Sequence, residues 1–73
     1  MVLYPNPSVD VINVTNVKAG AQVTIFNLRG QIVYQQNVVA DGFVHSVSQL
    51  PTGIYIVNII QSGRKTSIKF IKR

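Results

Sequence analysis

Asp10, Asp41 and the closely spaced His45, Ser46 and Ser48 are where this 73-residue chain comes nearest to residue types set for acid–base or nucleophilic chemistry. General acid–base catalysis by carboxylates needs two acids converging on one bond. The chain has only Asp10 and Asp41, both in or beside turn-forming stretches, so they read as turn and N-terminal strand residues. His45 and Ser46 are adjacent in an extended run, and neighbouring strand residues point to opposite faces, so they cannot form a nucleophile–base pair. His45 instead shares a face with Phe43 and Val47 and reads as a half-buried sheet residue. One histidine and two aspartates, with no His-x-His or carboxylate cluster and no cysteine, predict neither a metal site nor a disulfide. The five glycines are scattered singly, so no phosphate-cradling loop is expected. The expectation is a non-enzyme without cofactor or metal.

The other chemistry available is charge. Arg64, Lys65, Lys69, Lys72 and Arg73 carry the whole net charge of +5, because Lys18 and Arg29 are balanced by Asp10 and Asp41. A neutral body ending in a basic segment separates a packed part from a part that a partner could read. The pI of about 10.1 raises nucleic acid as a partner. No RRM, KH or cold-shock aromatic pattern accompanies the charge, so none is expected. No apolar run approaches the roughly 20 residues of a membrane span.

The elements that must position these residues are strands. A chain of this length makes one domain spanning residues 1–73, burying about 60% of its unfolded surface, with a net core contribution of roughly 3–5 kcal/mol. An apolar content of 47% suffices for a globular core. Val, Ile, Phe, Tyr and Thr fall in short runs separated by turn residues about every ten positions, which predicts a small antiparallel β-sandwich of about six or seven strands. Candidate strands cover residues 10–15, 22–28, 31–39, 43–47, 54–61 and 65–71. Alternation puts Ile12, Val14, Val23, Ile25, Tyr55, Val57, Ile59, Ile68 and Phe70 inward. The fifth strand is apolar on its other face too, through Ile54, Ile56 and Ile60, so it is either central with cover on both faces or partly exposed for a partner. Of the aromatic residues, Tyr4 and Tyr34 are expected to be exposed. Asn13-Val14-Thr15 fits a glycosylation triplet but lies inside a predicted strand. Leu50-Pro51-Thr52-Gly53 is similar to a wall-anchoring signal, yet lacks that signal's extra residue and the apolar span after it.

Three features in order resemble one family. Near the start stands Tyr4-Pro5-Asn6-Pro7, followed by Val9-Asp10-Val11-Ile12-Asn13-Val14. In the middle is Val23-Thr24-Ile25-Phe26-Asn27-Leu28-Arg29-Gly30-Gln31-Ile32-Val33. Near the end Val47-Ser48-Gln49-Leu50-Pro51-Thr52-Gly53-Ile54-Tyr55-Ile56-Val57 leads to Lys69-Phe70-Ile71-Lys72. This resembles the C-terminal sorting domain of the type IX (Por) secretion system of Bacteroidetes, over nearly the whole chain. The resemblance implies an immunoglobulin-like β-sandwich that directs a cargo, already exported to the periplasm, through the outer membrane translocon. It also implies a sortase that removes the domain and joins the cargo to anionic surface lipopolysaccharide, or releases it. The implied partners are translocon and sortase components and an N-terminal cargo domain, and the implied destination is secreted or cell-surface.

The positions matching the family's recurrent residues are Pro5, Asn6, Pro7, Gly30, Gly53, Tyr55, Lys69 and Lys72. His45 stands where the family more often has an aliphatic residue. Elementary physics gives these positions work of their own. Pro5 and Pro7 hold the leading segment extended, Gly30 and Gly53 permit turn geometry that side chains would obstruct, and Tyr55 can bury its ring while its hydroxyl reaches a backbone group. Lys65, Lys69 and Lys72 are expected to steer a partner by charge, and removal of residues 64–73 to strand a cargo in the periplasm. The alternatives are an immunoglobulin-like adhesion or carbohydrate-binding module, whose mark would be an exposed aromatic platform, and a purely structural spacer. Weak self-association through open strand edges is a further expectation. No export leader is expected ahead of the first structured residues, and Met1 reads as an initiator placed on a piece of a longer protein, which would put any export signal out of view.

Overall fold

The structure, a computed structural model, describes residues 2–4, 10–39 and 41–73. Seven strands form two antiparallel sheets: β1 (Leu3–Tyr4), β2 (Val11–Val14), β3 (Gln22–Asn27), β4 (Ile32–Asn37), β5 (Phe43–Ser46), β6 (Gly53–Gln61) and β7 (Arg64–Lys72). One sheet has the order β1-β2-β5 and the other β4-β3-β6-β7. The result is the expected small all-β sandwich. Its one addition to the expected strands is β1, which pairs Leu3 with Val14 and Tyr4 with Asn13. Thr15 clamps that pairing: its N–H donates to the Val2 carbonyl at 2.9 Å, and its Oγ1 accepts from the Val2 N–H at 2.8 Å.

Alternation assigns the core as period-two patterning requires. Ile12, Val14, Val23, Ile25, Val57, Ile59 and Phe70 are buried between the sheets, joined by Val17, Ala21, Val38 and Val47 from the connections. These inward β-branched and aromatic side chains supply the burial that a short chain without cysteine depends on.

Side chains also fix the turns. Asn27 closes the β3–β4 hairpin: its Oδ1 accepts from the Arg29 and Gln31 N–H groups at 2.9 and 3.0 Å, and its Nδ2 donates to Gln31 Oε1 at 2.9 Å. Gly30 follows with φ +81°, the left-handed residue a three-residue hairpin loop requires. The register then shifts between Ile25 and Phe26, leaving Val33 as an extra residue in β4. That bulge lets consecutive Val33 and Tyr34 both pack on the core and turns Ile32 to the outer face beside Phe26. Asp41, read as a turn residue, accepts from the Ala19 N–H at 3.1 Å and faces Lys18 Nζ at 3.8 Å.

Candidate recognition surface

The β6–β7 hairpin builds the basic segment into the fold. Ser62 and Gly63, with φ of 52° and 76°, form the two-residue turn, and the strands pair from Gln61↔Arg64 out to Gly53↔Lys72. Positive φ at both turn residues matches the right-handed twist of the flanking strands. Along β7, Thr66, Ile68, Phe70 and Lys72 then face the other sheet, and Lys65, Ser67, Lys69 and Ile71 face outward.

This alternation corrects one expectation. Lys65 and Lys69 are exposed on the outer face, but Lys72 is 6% exposed on the Phe70 side. Its Nζ donates to the Arg73 backbone oxygen at 2.7 Å. The aliphatic stem contributes to burial while the ammonium keeps a polar acceptor, which a lysine's length allows. Lys72 is therefore outside the outward row of charge.

Tyr55 behaves as its type and place suggest. Its ring is 5% exposed and stacks on Phe70, with centroids 5.4 Å apart, and its hydroxyl donates to the Pro51 carbonyl at 2.6 Å. Gly53 needs a different account from the one its place in a turn suggested. It opens β6 opposite Lys72, has no left-handed φ, and a Cβ there would meet nothing within 4 Å. No obstruction explains that glycine. Pro5, Asn6 and Pro7 lie outside the described residues.

The fold gathers residues far apart in sequence. The β3–β4 turn, with Asn27 and Arg29, borders a cleft of about 200 Å³ whose other wall is Thr52, Gly53, Ile54 and Tyr55. Gly30 belongs to that same turn, and Lys72 pairs with Gly53. Gly30, Gly53, Tyr55 and Lys72 thus meet at one end of the four-stranded sheet. Lys69 sits mid-strand opposite Ile56, and Lys65 near the other end opposite Ile60. Asn27 escaped the sequence reading, although an asparagine three residues before a glycine, between two β runs, signals an Asx-stabilised turn.

Two of the candidate hydroxyls meet each other, and the histidine meets aromatic rings. Ser46 Oγ lies 3.2 Å from Ser48 Oγ, and His45 stacks between Tyr34 and Phe43, with centroids 3.7 and 6.1 Å away. Burial pushes the His45 imidazole below its ordinary pKa of 6.5, which favours the neutral ring. Tyr34 is therefore half-buried rather than exposed, and of the two tyrosines expected outside, Tyr4 alone is. Among the described residues no cluster of three His, Cys, Asp or Glu side chains could hold a metal ion. No aromatic platform forms among the described residues either, since Tyr34 is taken up by His45 and Tyr4 lies on the opposite sheet. The adhesion alternative gains nothing here.

The described residues thus form a two-sheet sandwich with a basic last strand and no cluster of metal-ligating side chains. Comparison with known proteins gives its kind. The family of secretion system C-terminal sorting domains matches residues 2–73, and the chain belongs to it: a sorting domain of the type IX (Por) secretion system. Beta-agarase A of Zobellia galactanivorans is 32% identical over 68 residues, covering 90% of this chain and 12% of that protein. Ulvan lyase NLR42 of Nonlabens ulvanivorans is 33% identical over 66 residues, covering 86% and 12%. The chain thus spans about an eighth of each of these relatives. Among solved structures, PorZ, a surface component of the type-IX secretion system of Porphyromonas gingivalis, superposes with a TM-score of 0.81 at 22% identity. That superposition covers 99% of this chain and 11% of PorZ, and it establishes the shared fold.

Proposed function

We propose that this domain is the C-terminal part of a longer protein, carries no catalysis of its own, and is read in its folded form by the type IX translocon. The cargo N-terminal to it crosses from the periplasm to the cell surface or the medium, and a sortase then acts on the junction. The observation that carries the reading is the double use of β7. Phe70 and Lys72 lock the strand into the sandwich, while Lys65 and Lys69 stand outward in the terminal segment that carries the chain's whole net charge of +5. Long-range attraction from such a face raises encounter rates with an acidic receptor and weakens with salt.

Deleting residues 64–73 would remove Phe70 from the core as well as the charge, so it would test folding and recognition together. Side-chain variants separate the two. A reporter carrying this chain at its C-terminus is expected to reach the surface of cells with a working type IX translocon and to stay periplasmic in cells without one. The double variant Lys65→Ser/Lys69→Ser is expected to slow delivery severalfold with no change in melting. Surface delivery that ignores the translocon would contradict the proposal.

A further inference from the structure

Among the described residues, the outer face of the four-stranded sheet carries a continuous row of apolar side chains, and its construction is specific. Cross-strand partners place Ile32, Phe26, Ile56 and Lys69 in one row across β4, β3, β6 and β7. The β-bulge at Val33 brings Ile32, which is 57% exposed, into that row. Leu28, 68% exposed in the adjoining turn, extends it, and Ile54 pairs with Ile71 alongside. Phe26, Leu28 and Ile56, with Gly30, Asn58 and Ser67, line a groove of about 420 Å³. Asn58 Oδ1 accepts from Ser67 Oγ at 2.6 Å, so the groove floor holds satisfied polar groups among apolar walls. Large apolar residues left outward on a central strand such as β6 are unusual unless something covers them.

Charge identifies what covers them. Asp10 and Asp41 are the chain's only acidic side chains, and neither belongs to β3, β4, β6 or β7. Lys65 and Lys69 lie on the face itself, and Arg29 in the turn beside the groove. Two copies brought together by this face would set cation against cation, which disfavours self-pairing. A lipid surface is matched by dense clusters of roughly 4–8 basic residues. Here the cations are few and spaced around a shaped groove, as a protein partner requires.

We propose that this face is the docking surface for a protein segment whose apolar side chains fill the Phe26–Leu28–Ile56 groove and whose flanking carboxylates meet Lys65, Lys69 and Arg29. The proposal rests on the sorting reading and specifies which side of the domain is read. Truncation at the centre of such an interface typically changes binding by about tenfold or more, and a charge placed there does at least as much.

The test uses the reporter fused to the full chain in cells with a working type IX translocon. Leu28→Glu and Ile32→Glu alter exposed positions on the face, and Val44→Glu, at a position 66% exposed on the outer side of the other sheet, is the control. Leu28→Glu and Ile32→Glu are expected to cut surface delivery about tenfold with unchanged melting, and Val44→Glu to leave it near wild type. Wild-type delivery by both face variants overturns the docking surface while leaving the sorting function standing. Failure of the wild-type fusion itself overturns the sorting reading and this inference with it. Binding of the purified fusion to phosphatidylethanolamine–phosphatidylglycerol vesicles, if lost in Leu28→Glu, would reassign the face to a membrane. A Leu28-dependent dimer in sedimentation equilibrium would reassign it to a second copy.

Discussion

Tyr55 and His45 show how single side chains hold this sandwich together, and each makes a measurable difference. The Tyr55 hydroxyl ties β6 to the turn before it through the Pro51 carbonyl while the ring packs on Phe70. Tyr55→Phe keeps the ring and orphans the carbonyl. Denaturant unfolding is expected to show a loss of about 1–2 kcal/mol. His45 acts through protonation. Its pKa is depressed in the folded domain because burial between Tyr34 and Phe43 disfavours the imidazolium. The unfolded chain therefore binds the proton more readily than the folded one as pH falls below 6.5. Stability is full above that value and declines as pH drops toward the lowered native pKa. Melting temperature should fall between about pH 7 and pH 5, and His45→Leu should flatten that slope. An equal slope in both proteins would remove His45 from the account. The stack itself was hidden from the sequence: period two placed His45 inward, but only the bulge at Val33 brings Tyr34 across to meet it.

At the scale of elements, the β6–β7 hairpin sets where the charges point. Its turn uses Ser62 at φ 52°, a conformation that asparagine or glycine adopts more readily. Ser62→Asn is expected to raise stability by about 0.5–1 kcal/mol with delivery unchanged, as thermal melting and the reporter assay would show. A loss of stability would mean that the turn is not the one described. The six longer strands were legible because each alternates over four or more residues between turn signals. β1 was not, since two residues offer no period to read and its pairing with β2 depends on Thr15, eleven or more positions away. Lys72 shows two rules in competition. Alternation from Ile68 and Phe70 already sent it inward, charge argued for the surface, and the long stem let burial win. Gly53 shows the reverse: a turn motif suggested a steric need, and the space beside it is open.

For the whole molecule, the two sheets divide the labour. The three-stranded sheet contributes Ile12, Val14 and Phe43 to the core, and the four-stranded sheet contributes its inner face to that core and turns its outer face away from it. The family resemblance was readable because its motifs lie at turns and strand starts, where residue type follows backbone geometry. The outer face was readable only in part. Ile54, Ile56 and Ile60 marked β6 as apolar on both sides, but the row from Ile32 to Lys69 exists only after the register of four strands is set. The proposed address is a face assembled from distant segments, so it should vanish when the fold does, even with every residue of β7 intact. Ile12, fully buried in the other sheet, allows that separation. The deciding measurement is surface delivery of a reporter fused to the Ile12→Asp variant, alongside circular dichroism of the same fusion. Collapse of delivery together with the fold is the predicted result, and wild-type delivery from the unfolded variant would mean that a linear tail is read instead.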